Sequence, residues 1–151
     1  MTPDQRLEQL ANGTNPTAIT QMPSGFAVMG DHQYLPGYCL LLAYPKVSQL
    51  NDLSEADQLQ FLKDMACLGG AIRSATECVR VNYGIYGNLD PFLHAHIWPR
   101  YDWENDDLKR MPPFTFPATL RENPACAFSP EKHGPLKDQI ASFLIQPRAV
   151  P

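Results

Sequence analysis

The sequence predicts an α+β fold, an antiparallel sheet with one long helix packed on it and a proline-rich C-terminal extension. Three observations predict it. Apolar runs of strand length recur at 25–30, 38–44, 79–86 and 92–98. One long helical pattern separates the second run from the third. A Gly87-Asn88 turn lies between the last two and marks a hairpin. The chain has 151 residues, the length of one domain, so 1–151 is expected to fold as a unit. Its core is expected over about 25–101, with 102–151 an irregular extension ending in a helix. Hydrophobic residues make up 44% and charged residues 19%, which excludes a disordered or fibrous chain.

The elements follow in order. Residues 3–11 fit a short helix with Leu7 and Leu10 on one face, stopped by Asn12-Gly13. GFAVMG at 25–30 reads as a strand, DHQYLPG at 31–37 as a turn, and YCLLLAY at 38–44 as a second strand. Ser54, with an acid three residues later, resembles a capping box. Leu59, Leu62, Met65, Ala66, Ile72 and Ala75 then follow at helical spacing. Gly69-Gly70 in that helix signals either a close packing contact or a break. Two further strands, 79–86 and 92–98, complete the sheet. Ten of the fifteen prolines lie from Pro91 onward, so the chain to Pro135 is expected to be irregular. Residues 136–145 fit a last amphipathic helix.

Charge and composition narrow the function. Twelve Lys and Arg against sixteen Asp and Glu give a net charge of −4. No basic excess exists to grip a nucleic-acid polymer, while a small anionic ligand stays open. The first residues carry no leader-like apolar run, and no run is long enough to span a bilayer. A cytoplasmic protein without a membrane partner is the expectation. Cys39, Cys67, Cys78 and Cys126 show neither C-x-x-C nor zinc-ribbon spacing and read as ordinary thiols in a reducing compartment.

The chemistry concentrates in Phe92-Leu93-His94-Ala95-His96-Ile97-Trp98-Pro99-Arg100. On a strand, Leu93, Ala95 and Ile97 face the core, while Phe92, His94, His96 and Trp98 share the other face. The two imidazoles then stand about 7 Å apart at the backbone, close enough to touch one phosphate or one metal ion. A solvated strand face is the plainest reading. A metal site needs a third and usually a fourth ligand, and the cation at Arg100 opposes it. The third reading is nucleophilic catalysis, in which a neutral imidazole attacks phosphorus and forms a phosphoramidate.

The segment resembles the signature of the histidine triad family, alternating histidine and apolar residues followed by Pro-Arg. Gly87-Asn88 with Pro91 resembles the family's lead-in. Asp31 ahead of Leu35-Pro36-Gly37-Tyr38 resembles its ribose-holding acid. The resemblance covers roughly 25–100. It implies a histidine triad-like fold, with His94 the nucleophile and His96 the group that contacts the scissile phosphate. Asp31, Asn82, Gly87, Asn88 and Arg100 are the implied substrate-binding residues. Asn82 and Asn88 would donate to phosphate, and Arg100 would balance its charge. Asp31 reads equally as a turn residue, Asn88 as a purely conformational one, and Arg100 as an ordinary surface ion-pair member.

Three places depart from the family pattern. Tyr44-Pro45-Lys46-Val47 keeps, at Lys46, the cation of the relatives' basic P-K-x-H but not its histidine. Phe92 takes the place of the first histidine, and Leu89 that of a common hydroxyl residue. The resemblance implies a homodimeric hydrolase or transferase that cleaves at the α-phosphate of a purine nucleotide conjugate. A dinucleoside polyphosphate or a nucleoside phosphoramidate is the expected substrate, of the kind taken by the family's dinucleoside polyphosphate hydrolases. No cofactor or protein-bound metal is expected, beyond Mg²⁺ accompanying a polyphosphate. The alternative is a nucleotide-binding protein with little or no turnover, which Phe92 and Leu89 favour.

Overall fold

The computed structural model describes residues 1–145; positions 146–151, the end of the expected extension, lie outside the described residues. The first helix, α1 (Pro3–Ala11), opens on a complete capping box. Thr2 accepts from the Gln5 backbone N–H, and the Gln5 side chain accepts from that of Thr2. Leu7 and Leu10 are buried, as the spacing predicts. The helix stops at Asn12, and Gly13 turns the chain away at φ +77°.

Five antiparallel strands form one sheet in the order β1-β2-β3-β5-β4. They are β1 (Ala18–Met22), β2 (Gly25–Met29), β3 (Cys39–Ala43), β4 (Arg80–Ile85) and β5 (His94–Arg100). The sequence reading expects four strands; β1 is the fifth. Its residues AITQM lack an apolar run because it is an edge strand and only half-buried. In contrast, β3 is sandwiched in the middle and its CLLLA is buried almost throughout.

The long helix is α2 (Glu55–Ala75), capped by Ser54, whose side chain accepts from the Asp57 N–H. Its buried face is Phe61, Met65, Leu68 and Ile72. Leu59, Leu62 and Ala66, assigned to that face by spacing, are exposed instead. The stripe is displaced because Asp64 occupies a core-facing position. Its carboxylate accepts from the Ser24 N–H at 2.9 Å and hydroxyl at 2.6 Å, and so ties α2 to the β1–β2 turn. Gly69-Gly70 does not break the helix. Gly69 lets β4 approach, since a Cβ there would overlap the Tyr83 hydroxyl.

Helix α5 (Pro130–Ile145) begins earlier than the pattern predicts and packs beside α2, with Ile140 fully buried. Together they cover one face of the sheet, over Met29, Leu41, Ala95 and Ile97. The opposite face is covered in two parts. Leu7 and Leu10 of α1 seat on Phe26, Val28, Leu42 and Phe92. Leu35, Trp98, Tyr101 and Phe116 form a second patch. The segment after β5 is irregular as expected, with two short helices, α3 (Asp106–Lys109) and α4 (Ala118–Arg121). Between these two covers the histidine face stays open.

Candidate functional site

β5 carries the site because its alternation sends Ala95 and Ile97 into the core, with Leu93 just before the strand, and His94, His96 and Trp98 to the other face. Those three side chains line a cleft of about 300 Å³. Its walls come from Met1 and α1 (Pro3, Arg6), from the turn before β3 (Asp31, His32, Tyr34) and from Arg121 of α4.

The His94 ring is buried, and its Nδ1 lies 2.8 Å from the Phe92 carbonyl oxygen. A carbonyl only accepts, so Nδ1 carries a proton, and in the neutral form of the ring the lone pair lies on Nε2. The Phe92 ring stands 4.8 Å from the imidazole, centroid to centroid. The first position of the triplet thus contributes through its backbone.

His96 sits 5.1 Å from His94, edge to face, and stacks on Trp98 at 5.0 Å with the planes 6° apart. The Tyr38 hydroxyl lies 2.6 Å from its Nδ1. Burial, aided by the Tyr34 hydroxyl, the Asp31 carboxylate and the Cys39 thiol, holds the Tyr38 pKa well above the ordinary value. The phenol therefore keeps its proton. It has no other hydrogen-bond partner among the described residues, so it donates to Nδ1 and places the His96 proton on Nε2. Burial first, and His94 second, lower the His96 pKa to about 4, and the ring is neutral at pH 7. One imidazole is left with a free lone pair and its neighbour with a free N–H.

The remaining predicted residues divide. Asp31 lines the cleft, but the Arg6 guanidinium holds its carboxylate through two bonds of 2.6 and 3.1 Å. Lys46 is tied to Asp4 at 2.6 Å, a second link between α1 and the body. Asn82 and Arg100 line a neighbouring cleft of about 690 Å³ that shares Trp98 and Phe114 with the first. Arg100 is buried and has no donor to spare. It binds Glu104, the Asn82 side chain and the carbonyls of Leu108 and Met111, and so pins the segment after β5 onto the sheet. Gly87 makes the loop turn at φ +74°. Asn88 and Leu89 are exposed and line neither cleft.

Tyr38, Arg6, Asp90 and Arg121 belong to the cleft and were not singled out from the sequence. Tyr38 had a signal. Leu40 pairs with His96 and Leu42 with His94, so alternation along 38–42 puts Tyr38 on the histidine face once the strand pairing is known. The other three come from segments whose approach no local pattern encodes. Among the described residues, no three His, Cys, Asp or Glu gather to hold a metal ion. No described helix is long and apolar enough to cross a membrane.

No family model matches the sequence, and no curated protein does. Solved structures do match. A histidine triad protein from Sinorhizobium meliloti superposes with a TM-score of 0.73 at 19% identity, covering 93% of this chain and 95% of that one. A hypothetical histidine triad nucleotide-binding protein from Sulfolobus tokodaii gives 0.69 at 14% identity, covering 93% and 91%. A histidine triad protein from Marinobacter aquaeolei gives 0.64 at 18% identity, covering 91% and 93%. The chain has the histidine triad fold. Likeness at these identities carries the fold and leaves activity to the residues of the cleft. Within the histidine triad fold, the cleft lies over β5, beside its pairing with β3.

Proposed function

We propose that this chain is a histidine triad protein that cleaves at the α-phosphate of a purine nucleotide conjugate, a dinucleoside polyphosphate or a nucleoside phosphoramidate. One observation carries the reading: the Nδ1–H of buried His94 is tied to the Phe92 carbonyl, which leaves Nε2 free in a cleft beside a neutral His96. In the proposed reaction the Nε2 lone pair attacks the α-phosphorus. A P–N bond forms, the bond to the leaving group breaks, and its electron pair departs with that group. The His96 Nε2–H donates to the phosphate oxygens or to the leaving group. Water then attacks phosphorus, the P–N bond breaks, and a nucleoside monophosphate is released with His94 restored.

The Phe92 carbonyl offers the His94 Nδ1–H its acceptor whichever side chain occupies that position. Phe92 therefore spares the nucleophile's tautomer, though it gives His94 no side-chain hydrogen bond. That absence is what supports the second reading, a nucleotide-binding protein with little turnover. Asp31 would meet the ribose hydroxyls only if it shares its carboxylate with Arg6 or exchanges that partner. Asn82 and Arg100 would act on the ligand only indirectly, by holding the cleft wall. Mg²⁺ enters the reading only as the companion of a polyphosphate. The reading further includes a homodimer through the free edge of β4, in a reducing compartment such as the cytoplasm.

Chromatography of products from wild type and His94→Ala tests the reaction. Wild type is expected to release a nucleoside monophosphate from dinucleoside polyphosphates or adenosine phosphoramidate, and His94→Ala is expected to release none. Nucleotide binding without release by wild type selects the second reading.

A further inference from the structure

Two arginines line the cleft, and they are not equivalent. Arg6 is engaged at both its terminal nitrogens by Asp31. Arg121, the last residue of α4, donates its Nε–H to the Phe116 carbonyl at 2.7 Å. That bond orients the guanidinium plane, and both terminal amino groups lack a partner among the described residues. Its side chain is half-buried next to Tyr34, whose phenol feels its charge. Lys46 is tied to Asp4 and lies outside the cleft, and Arg100 has no donor left. Arg121 is thus, among the described residues, the arginine of the cleft whose charge no carboxylate pairs and whose two terminal amino groups both stand open. Three carboxylates also line it, Asp31, Asp90 and Glu122. Arg6 neutralises the first, while Asp90 and Glu122 are exposed and screened by water and salt. A half-buried guanidinium outweighs them for an anion bound beside it.

We propose that Arg121 binds the phosphate groups beyond the scissile bond and so selects polyphosphate conjugates over phosphoramidates. The inference rests on the nucleotide reading above and deepens it by naming the leaving group. As the P–O bond breaks, its electron pair moves onto the departing polyphosphate oxygen, and the terminal amino groups of Arg121 would stabilise the charge that builds there. An amine leaving group takes up a proton and departs neutral, so Arg121 gains it nothing.

Calorimetric titration of wild type, Arg121→Ala and Arg121→Lys with adenosine, AMP and ATP separates these contributions. Wild type is expected to bind ATP more tightly than AMP. Arg121→Ala should remove about tenfold or more of that difference, the worth of hydrogen bonds to a charged group, and leave adenosine and AMP nearly unchanged. Arg121→Lys should recover part of the loss. An equal loss for AMP and ATP would mean that Arg121 only braces Phe116, and the proposal falls. It falls too if wild type binds ATP no tighter than AMP, with AMP binding intact. A wild type that binds none of the three overturns the nucleotide reading itself, and this inference with it.

Discussion

At the scale of residues, the two histidines divide the work through their partners. A backbone carbonyl sets the tautomer of His94, and a phenol that of His96. Tyr38 is a positioning residue in this scheme, since it acts through His96. Tyr38→Phe removes one neutral hydrogen bond, about 0.5–1.5 kcal/mol, and frees the ring to exchange tautomers. Turnover should fall by up to about tenfold while AMP affinity holds; a change confined to affinity would place Tyr38 in ligand contact instead. The depressed pKa of His96 carries a second consequence. Between pH 6.5, the ordinary value, and about 4, the unfolded chain binds a proton that the folded one refuses. Stability therefore drops as the pH falls through that window and levels off below it. Denaturant melts at pH 7 and pH 5 should show a smaller pH-dependent loss for His96→Gln than for wild type. Equal losses would mean that His96 titrates normally. The shared face of His94 and His96 was readable from period-two alternation alone. The rest of the cleft was not: Tyr38 joins that face only once the strand pairing is known, and Arg6 and Arg121 reach the cleft from separate segments.

At the scale of elements, strongly patterned segments were readable and weakly patterned ones were not. Pro3–Ala11, the CLLLA strand and the Ser54-capped helix match because cap, length and apolar spacing agree. β1 escaped detection because an edge strand needs only one half-buried face. Spacing puts the core stripe of α2 through Leu59 and Leu62, because it cannot reveal that Asp64 is buried to hold Ser24. The glycine pair shows the same limit. Gly69 and Gly70 look identical in sequence, yet only Gly69 meets a neighbour, the ring of Tyr83. Gly70 is exposed in a helix interior with nothing within 4 Å of an added Cβ. Gly70→Ala should therefore stabilise the protein by about 0.5–1 kcal/mol, the difference in helix propensity. Gly69→Ala should destabilise it, because Tyr83 must be displaced from α2. Thermal melts of the two variants decide the point, and destabilisation by Gly70→Ala would show that its surroundings are not open.

At the scale of the whole molecule, the sheet has two edges, and they differ. β1 contacts α5, whereas β4 has, among the described residues, an unpaired edge, with Tyr83 and the flanking Val79 and Tyr86 exposed. Leu62 lies two turns before Gly69 on α2, on the side that faces Tyr83, and it too is exposed. An unpaired strand beside apolar side chains is an invitation to further pairing. A second copy of the same strand running antiparallel satisfies it with two-fold symmetry, each patch meeting itself. α2 would add area toward the roughly 800 Å² per partner of a stable interface. Light scattering behind gel filtration should give wild type twice the chain mass. Val79→Lys should yield the single-chain mass, because it sets a charge without a partner in the apolar patch that the interface would bury. His94 and His96 lie on β5 and not on that edge, so the monomeric variant should keep its fold and bind nucleotide. A wild type that elutes as a monomer at every concentration tried would leave the β4 edge without the partner assigned to it.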